Sequence, residues 1–252
     1  MPFVQRIDNG TYLTVTDDDL VQLYAYPAEL DRVRIRVNFV SSIDGAVSVD
    51  GRSGGLGTDA DHAVFTTLRD LADAVLVGAS TVSAEDYGGV KVSDRARTAR
   101  RDRGQAEVPP VVIVSGSASV EPGWSVITDT EVPPVVVVSA AADADRVRAL
   151  RDAGARVEQL DGDVTGDGVV AVLDRLGLRR VLCEGGPGLF STLLADDVVD
   201  EVCLTTSPVV TAGDAGRIAT SDSATPRAMR PAHVLLDDDG TVLVRWVRDR
   251  TR

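Results

Sequence analysis

The chain has 252 residues, of which 44% are hydrophobic and 26% charged, and a formal net charge of −13. That length fits one large α/β domain or two small ones, and no apolar run approaches the roughly 20 residues that span a bilayer. The negative charge argues against nonspecific nucleic-acid binding and against attraction to anionic membranes. The N-terminus lacks a basic region followed by an apolar core, so the expected compartment is the cytoplasm.

Residues 1–31 read as an N-terminal extension, with a short helix in "DDDLVQLYAYP" that stops before Pro27. The first strong strand is "RVRIRVNFVSS", residues 32–42, which alternates through Val33, Ile35, Val37 and Phe39. Two turn signals follow closely, Asp44-Gly45 and Asp50-Gly51. Thr58 or Asp59 is placed to cap a helix that carries Val64, Leu68 and Leu71 on one side.

"AVLVG" (74–78), "PPVVIVS" (109–115), "PPVVVVS" (133–139) and "RRVLCEGG" (179–186) are short, continuously apolar runs. Such runs suit strands covered on both faces, and the proline pairs precede their strands, where a missing donor does little harm. Residues 92–107 read as an exposed helix, and 142–154 and 166–178 as amphipathic ones. The final part holds "EVCLTTSPVV" (201–210) and a hairpin over 232–249 turning at Asp239-Gly240. Strand and helix alternate and end in a hairpin. The expected fold is therefore α/β: a doubly wound, mostly parallel sheet with helices on both faces and an antiparallel edge, forming one domain over 32–252.

In such a sheet ligands bind beyond the carboxyl ends of the strands, where strand order switches. Glu184, Gly185, Gly186, Pro187 and Gly188 end one strand and open a helix at Leu189. This is either a tight turn or a cradle in which bare backbone and a helix N-terminus bind phosphate. After 74–78 come Gly78, Thr81, Val82 and Glu85, where Thr81 serves as a helix cap or as a ligand hydroxyl. Ser115 and Ser117 are either plain turn residues or contacts to a ribose or its phosphate. Asn38, Ser42 and Asp44 lie on and just after the first strand. Asp61 falls in the first turn of the next helix, where the dipole favours an acid, and His62 beside it reads as solvated. Cys183 and Cys203 read as small buried hydrophobes. No zinc-ligand spacing, nucleophile elbow, G-x-x-x-x-G-K-[ST] loop or G-x-G-x-x-G fingerprint is present.

Three segments, "NFVSSIDGAVS" (38–48), "TLRDLADAVLVGASTVSAEDY" (67–87) and "VLCEGGPGLFSTLLADDVVDEVCLTTSPVV" (181–210), together resemble the reductase domain of bacterial riboflavin biosynthesis. That domain has a fold similar to dihydrofolate reductase. The resemblance implies NADPH as hydride donor, a homodimer, and reduction of a ribosylamino-pyrimidine phosphate to its ribityl form. Carried over by position, it sets Gly185, Gly186, Pro187 and Gly188 at the cofactor's pyrophosphate and Thr81 and Glu85 near the cofactor, with Gly78, Val82, Ser115, Glu184 and Leu189 as further cofactor candidates at the same strand ends. It sets Asp44 near the nicotinamide and substrate; Asn38, Ser42 and Asp61 are further acceptor candidates, with Asp44 and Asp61 the candidate catalytic residues. Two departures stand out. "EDYGGVKV" and "TDADHAVF" lack the arginines expected to hold the substrate phosphate, leaving Lys91 as a substitute. Asp61 is then the acid to accept hydrogen bonds from an amino-pyrimidine or pteridine edge. Reduction of a dihydrofolate-like pterin, and NADPH binding without turnover, remain open alternatives.

Overall fold

The computed structural model describes residues 5–8 and 11–251. In chain order the elements are β1 (Gln5–Asp8), β2 (Thr11–Thr14), α1 (Asp17–Tyr24), β3 (Arg34–Ser41), a 3₁₀ turn (Ser53–Gly55), α2 (Asp59–Leu71), β4 (Ala74–Gly78) and α3 (Ala79–Ala84). They continue with α4 (Asp94–Asp102), β5 (Val111–Val114), α5 (Ser125–Thr128), β6 (Val135–Val138), α6 (Ala144–Asp152) and β7 (Arg156–Gln159). The chain ends with α7 (Gly166–Arg175), β8 (Arg180–Cys183), α8 (Pro187–Ala195), β9 (Val199–Thr206), β10 (Met229–Leu236) and β11 (Val242–Arg248).

All the strands join one sheet in the order β2-β1-β10-β11-β9-β3-β8-β4-β5-β6-β7. From β9 to β7 every pairing is parallel, and from β9 out to β2 every pairing is antiparallel. The alternation of buried residues explains the layers. On β4, Ala74 and Leu76 face the side covered by Val169, Val172 and Leu173 of α7 and Leu189, Phe190 and Leu193 of α8. Val75 and Val77 face the other side, with Val82 of α3, Val126 of α5 and Leu150 of α6. Farther along that second face Val64, Leu68 and Leu71 of α2 pack with Leu20 and Tyr24 of α1 over Leu182 and Cys203. Period-2 strands meeting apolar helix stripes on both faces is the layer solution that the alternating pattern demands.

Three details extend the sequence reading. The segment before residue 32 contributes a hairpin to the sheet and, through Tyr24 at 1% exposure, a side chain to the core. Residues 94–102 form the expected helix, but Arg100 is buried and donates to the carbonyls of Arg69, Asp70 and Ala72, stopping the C-terminus of α2. The edge strand β7 escapes the apolar-run criterion because it has only Val157 to offer. Among the described residues no helix is long and apolar enough to cross a membrane.

Candidate active site

The chain runs from β3 past β8 to β4, β5, β6 and β7, then returns to place β8 between β3 and β4. The carboxyl ends of these three central strands are therefore the switch point. A cleft of about 690 Å³ opens there. Its floor is Asn38, Phe39 and Val40 of β3. One wall is Glu184, Gly186 and Pro187 after β8, with Ser80, Thr81 and Glu85 after β4. A second wall is Val47, Ser48, Gly51, Ser53, Gly54 and Gly57 with Asp61, His62, Phe65 and Arg69 of α2.

The glycines after β8 owe their identity to packing. Gly185 and Gly186 have φ of 99° and 89°, in the region side chains avoid. A Cβ on Gly185 would lie 2.7 Å from the Phe39 ring, and one on Gly186 3.1 Å from Thr81 Oγ1. Packing by itself therefore requires a bare turn here: a side chain on Gly185 or Gly186 would strike protein. The Gly78 N–H donates to the Gly185 carbonyl at 3.1 Å, locking the β4 and β8 turns together. Pro187 then opens α8, where its absent N–H costs nothing. No side chain caps this helix, and the N–H groups of Gly188 and Leu189 reach no acceptor among the described residues.

Glu184 is buried and held by Arg69, which donates from Nε and Nη2 at 2.6 and 2.7 Å. Tyr87 Oη donates to the same carboxylate and accepts from Arg69 Nη2. Burial pushes the Glu184 carboxyl up and Arg69 opposes it. The Arg69 guanidinium also lies 4.2 Å from the Phe65 ring centroid. The sequence reading did not single out Arg69 or Tyr87. The segment 67–87 contains Arg69, but its partner is 115 residues away. Glu85 accepts from the N–H and hydroxyl of Ser53, both at 2.9 Å, and so pins the 3₁₀ turn to the cleft rim.

Asp61 enters the cleft from the first turn of α2, which Thr58 caps by accepting from the Asp61 N–H. Its side chain is 7% exposed, and Oδ1 is buried without a hydrogen-bond partner among the described residues. Burial raises the Asp61 carboxyl, against smaller pulls from the Thr205 hydroxyl and His62. His62, expected to be merely solvated, is exposed at the cleft mouth.

Of the residues singled out from sequence, Asn38, Asp61, Thr81, Glu85, Glu184, Gly186 and Pro187 meet in this cleft. Gly78 and Gly185 lie directly behind it, while Val82 and Leu189 belong to the core. Ser42, Asp44, Lys91, Ser115 and Gly188 do not line it. Ser42 Oγ donates to Asp44 and accepts from the Ala46 N–H. Asp44 also accepts from the N–H groups of Thr211 and Ala212, so it ties two loops together. These donors lower its carboxyl to about 2, the Ser42 hydroxyl first, which removes it as a proton donor near neutrality. Lys91 pairs with Asp129 on the surface and is 74% exposed, so it does not replace the missing arginines. Ser115 accepts from the Ser119 N–H and stabilises its own turn, and Ser117 is exposed.

Residues 33–243 match the RibD C-terminal domain. The chain belongs to that family. Its members include the pyrimidine reductases of riboflavin biosynthesis. The 2,5-diamino-6-ribosylamino-4(3H)-pyrimidinone 5′-phosphate reductase of Archaeoglobus fulgidus is 29% identical over 183 residues, covering 72% of this chain and 83% of its own length. The Methanothermobacter thermautotrophicus enzyme of the same name is 29% identical over 185 residues, covering 72% and 81%. A pyrimidine reductase-like protein of Corynebacterium diphtheriae superposes with a TM-score of 0.80 at 22% identity, over 92% of this chain and 99% of that one, a likeness of fold.

A RibD-type reductase works with a nicotinamide cofactor, and the cleft fits such a group. The uncapped N-terminus of α8 offers unpaired N–H donors and a positive dipole end beside the cleft wall. Thr81 adds a hydroxyl on the same wall. When bound, the cofactor supplies the hydride; the protein contributes alignment, exclusion of water and polar recognition.

Proposed function

We propose that this protein is an NADPH-dependent reductase of a ribosylamino-pyrimidine 5′-phosphate, the substrate named for its archaeal relatives. Hydride delivered to the anomeric carbon and a proton to the ring oxygen open the ribose to a ribityl chain. Gly186, Pro187 and Thr81, with the N–H groups that open α8, hold the cofactor. Asn38 and Asp61 orient the heterocycle, the ionised Asp61 carboxylate accepting from its amino groups. The observation that carries this reading is the convergence of Asn38, Asp61, Thr81, Gly186 and Pro187 on one cleft at the switch point of the sheet. The protein works as a homodimer, as its family resemblance implies. The neighbouring turns that expose Ile43, Val209 and Val210 supply apolar contact area.

One observation favours a second reading, a pterin-like acceptor without a phosphate. Arg69 is the sole arginine or lysine lining the cleft among the described residues, and Glu184 already neutralises it. Asp61, Glu85 and Asp86 share the lining, an unfavourable setting for a phosphate ester. Oxidation of NADPH and of NADH, followed with the ribosylamino-pyrimidine phosphate, its dephosphorylated form and dihydrofolate, separates the readings. Turnover of the phosphorylated pyrimidine with the best kcat/KM is the expected result. A preference for dihydrofolate transfers the assignment to the pterin. Cofactor binding without turnover of any acceptor defeats both.

A further inference from the structure

The opposite end of the sheet carries a second cleft, of about 620 Å³, that no part of the reductase reading uses. Strand direction brings it together: Arg32 and Arg34 open β3, Asp200 and Glu201 open β9, Arg230 opens β10, and Arg245 to Arg250 close β11. Six arginines line it, Arg32, Arg34, Arg230, Arg245, Arg248 and Arg250, against the carboxylates of Asp200 and Glu201. This excess of guanidinium lies in a chain of net charge −13, so composition alone does not produce it.

The two acids are already committed. Asp200, its side chain 3% exposed, receives Arg32, Arg34 and the N–H of Ile35. Glu201 receives Arg245 on one side and the fully buried Arg36 on the other. Arg248 and Arg250 share Asp197 just behind. Arg34 spends one nitrogen on a 3.4 Å contact, and exposed Arg230 has no ion-pair or hydrogen-bond partner among the described residues. Tyr26 and Pro27 form an uncharged side of the same cleft.

We propose that this cleft is a second ligand site, distinct from the reductase cleft, for a compact polyanion of the phosphate-ester class. Planar guanidinium forks pair bidentately with phosphate oxygens. The buried acids keep several forks in place without cancelling their charge. The rest of the surface is acidic and repels a long polyanion, whereas a small one within the cleft lies inside a Debye length of ~8 Å from the arginines. The proposal does not depend on which acceptor the reductase cleft takes.

Calorimetric titration of the full chain with inorganic pyrophosphate tests it. One pyrophosphate binds per chain, more weakly as salt rises, and binding persists when NADPH is saturating. The double variant Arg34→Ala/Arg230→Ala weakens it at least about tenfold, as expected for lost charge-assisted hydrogen bonds. Arg95→Ala, exposed on α4, leaves it unchanged. The single variant Arg230→Ala, which breaks no ion pair among the described residues, keeps the test available if the double variant fails to fold. Absence of binding, displacement by NADPH, or wild-type affinity in the Arg34 and Arg230 variants would overturn the proposal. So would a cleft shielded by a second copy, seen as no pyrophosphate binding together with arginine variants that dissociate on sedimentation.

Discussion

The two walls of the reductase cleft are built by different means. The wall after β8 is determined from behind: Gly185 faces the Phe39 ring, Gly186 faces Thr81, and Glu184 is saturated by Arg69 and Tyr87. Its shape follows from packing and from a satisfied polar network, whether or not a ligand is present. The wall that includes Val47, Ser53, Gly57 and the start of α2 is held by a few polar ties, such as Ser53 to Glu85, and it leaves a buried carboxylate oxygen on Asp61 without a partner. An orphaned buried acceptor costs about 1–3 kcal/mol. The contrast teaches that a rigid wall suits a constant partner such as the cofactor. Under the proposed function, the wall that bears an unsatisfied group is the one that selects among acceptors.

Breaking the packed wall has the largest effect. Gly185→Ala places a methyl 2.7 Å from Phe39 at a φ of 99°. Backbone strain and overpacking together cost about 3–4 kcal/mol, to be read as a fall in the urea midpoint, with loss of both cofactor and acceptor binding. A Gly185→Ala protein of unchanged stability would contradict the packing account.

The acceptor wall responds differently. Asp61→Ala lowers kcat/KM for the acceptor by about 10- to 100-fold, the worth of a hydrogen bond to a charged group, while the dissociation constant for NADPH stays nearly constant. Equal losses for cofactor and acceptor would remove Asp61 from acceptor recognition.

The same carboxylate sets a pH dependence of known sign. Its folded-state pKa is raised above 3.8, chiefly by burial. The folded protein therefore binds more proton than the unfolded chain between 3.8 and the raised value, and stability falls as pH rises through that window. Acceptor affinity moves the other way, improving as Asp61 ionises. Asp61→Asn flattens both profiles. Unfolding midpoints and acceptor KM across pH check this, and a wild-type acceptor KM that worsens with rising pH would assign the protonated acid to binding instead. Asp44 behaves in the opposite sense: its carboxyl sits at about 2, so its loop tie persists down to acid pH and is lost only as the pH falls through that value.

Much of the cleft was legible because its signals are local. Apolar runs marked the central strands, Thr58 marked the start of α2, and the E-G-G-P turn marked the switch point. What escaped depends on partners far away in the chain. Arg69 acquires its role only when β8 brings Glu184 beside α2, and Lys91 loses its expected role because Asp129 lies next to it. Asp44 carries an attractive motif, yet its acceptor capacity is consumed by a loop more than 160 residues on. Glycine spacing likewise showed that the turn must be bare but not against what. Phe39 supplies the reason at Gly185, and it sits on β3, which is far from Gly185 in the chain and lies beside β8 only once the sheet has formed.

The smallest effect comes from the same substitution three residues farther along. Gly188 sits in the first turn of α8, outside the cleft lining, and a Cβ added there would meet nothing within 4 Å. Gly188→Ala trades a flexible residue for a better helix former, which is worth about 0.5–1 kcal/mol in favour of the fold in a helix interior and less near an end. A slightly raised thermal midpoint with NADPH affinity within about threefold of wild type is expected, because the N–H donor at this position survives the change. Gly185→Ala and Gly188→Ala thus form an internal control, with the same methyl added to the same turn and opposite signs for stability. If Gly188→Ala weakened NADPH strongly without affecting the fold, a cofactor surface would pass closer to residue 188 than the cleft lining indicates, and the bareness of the turn would serve the ligand there after all.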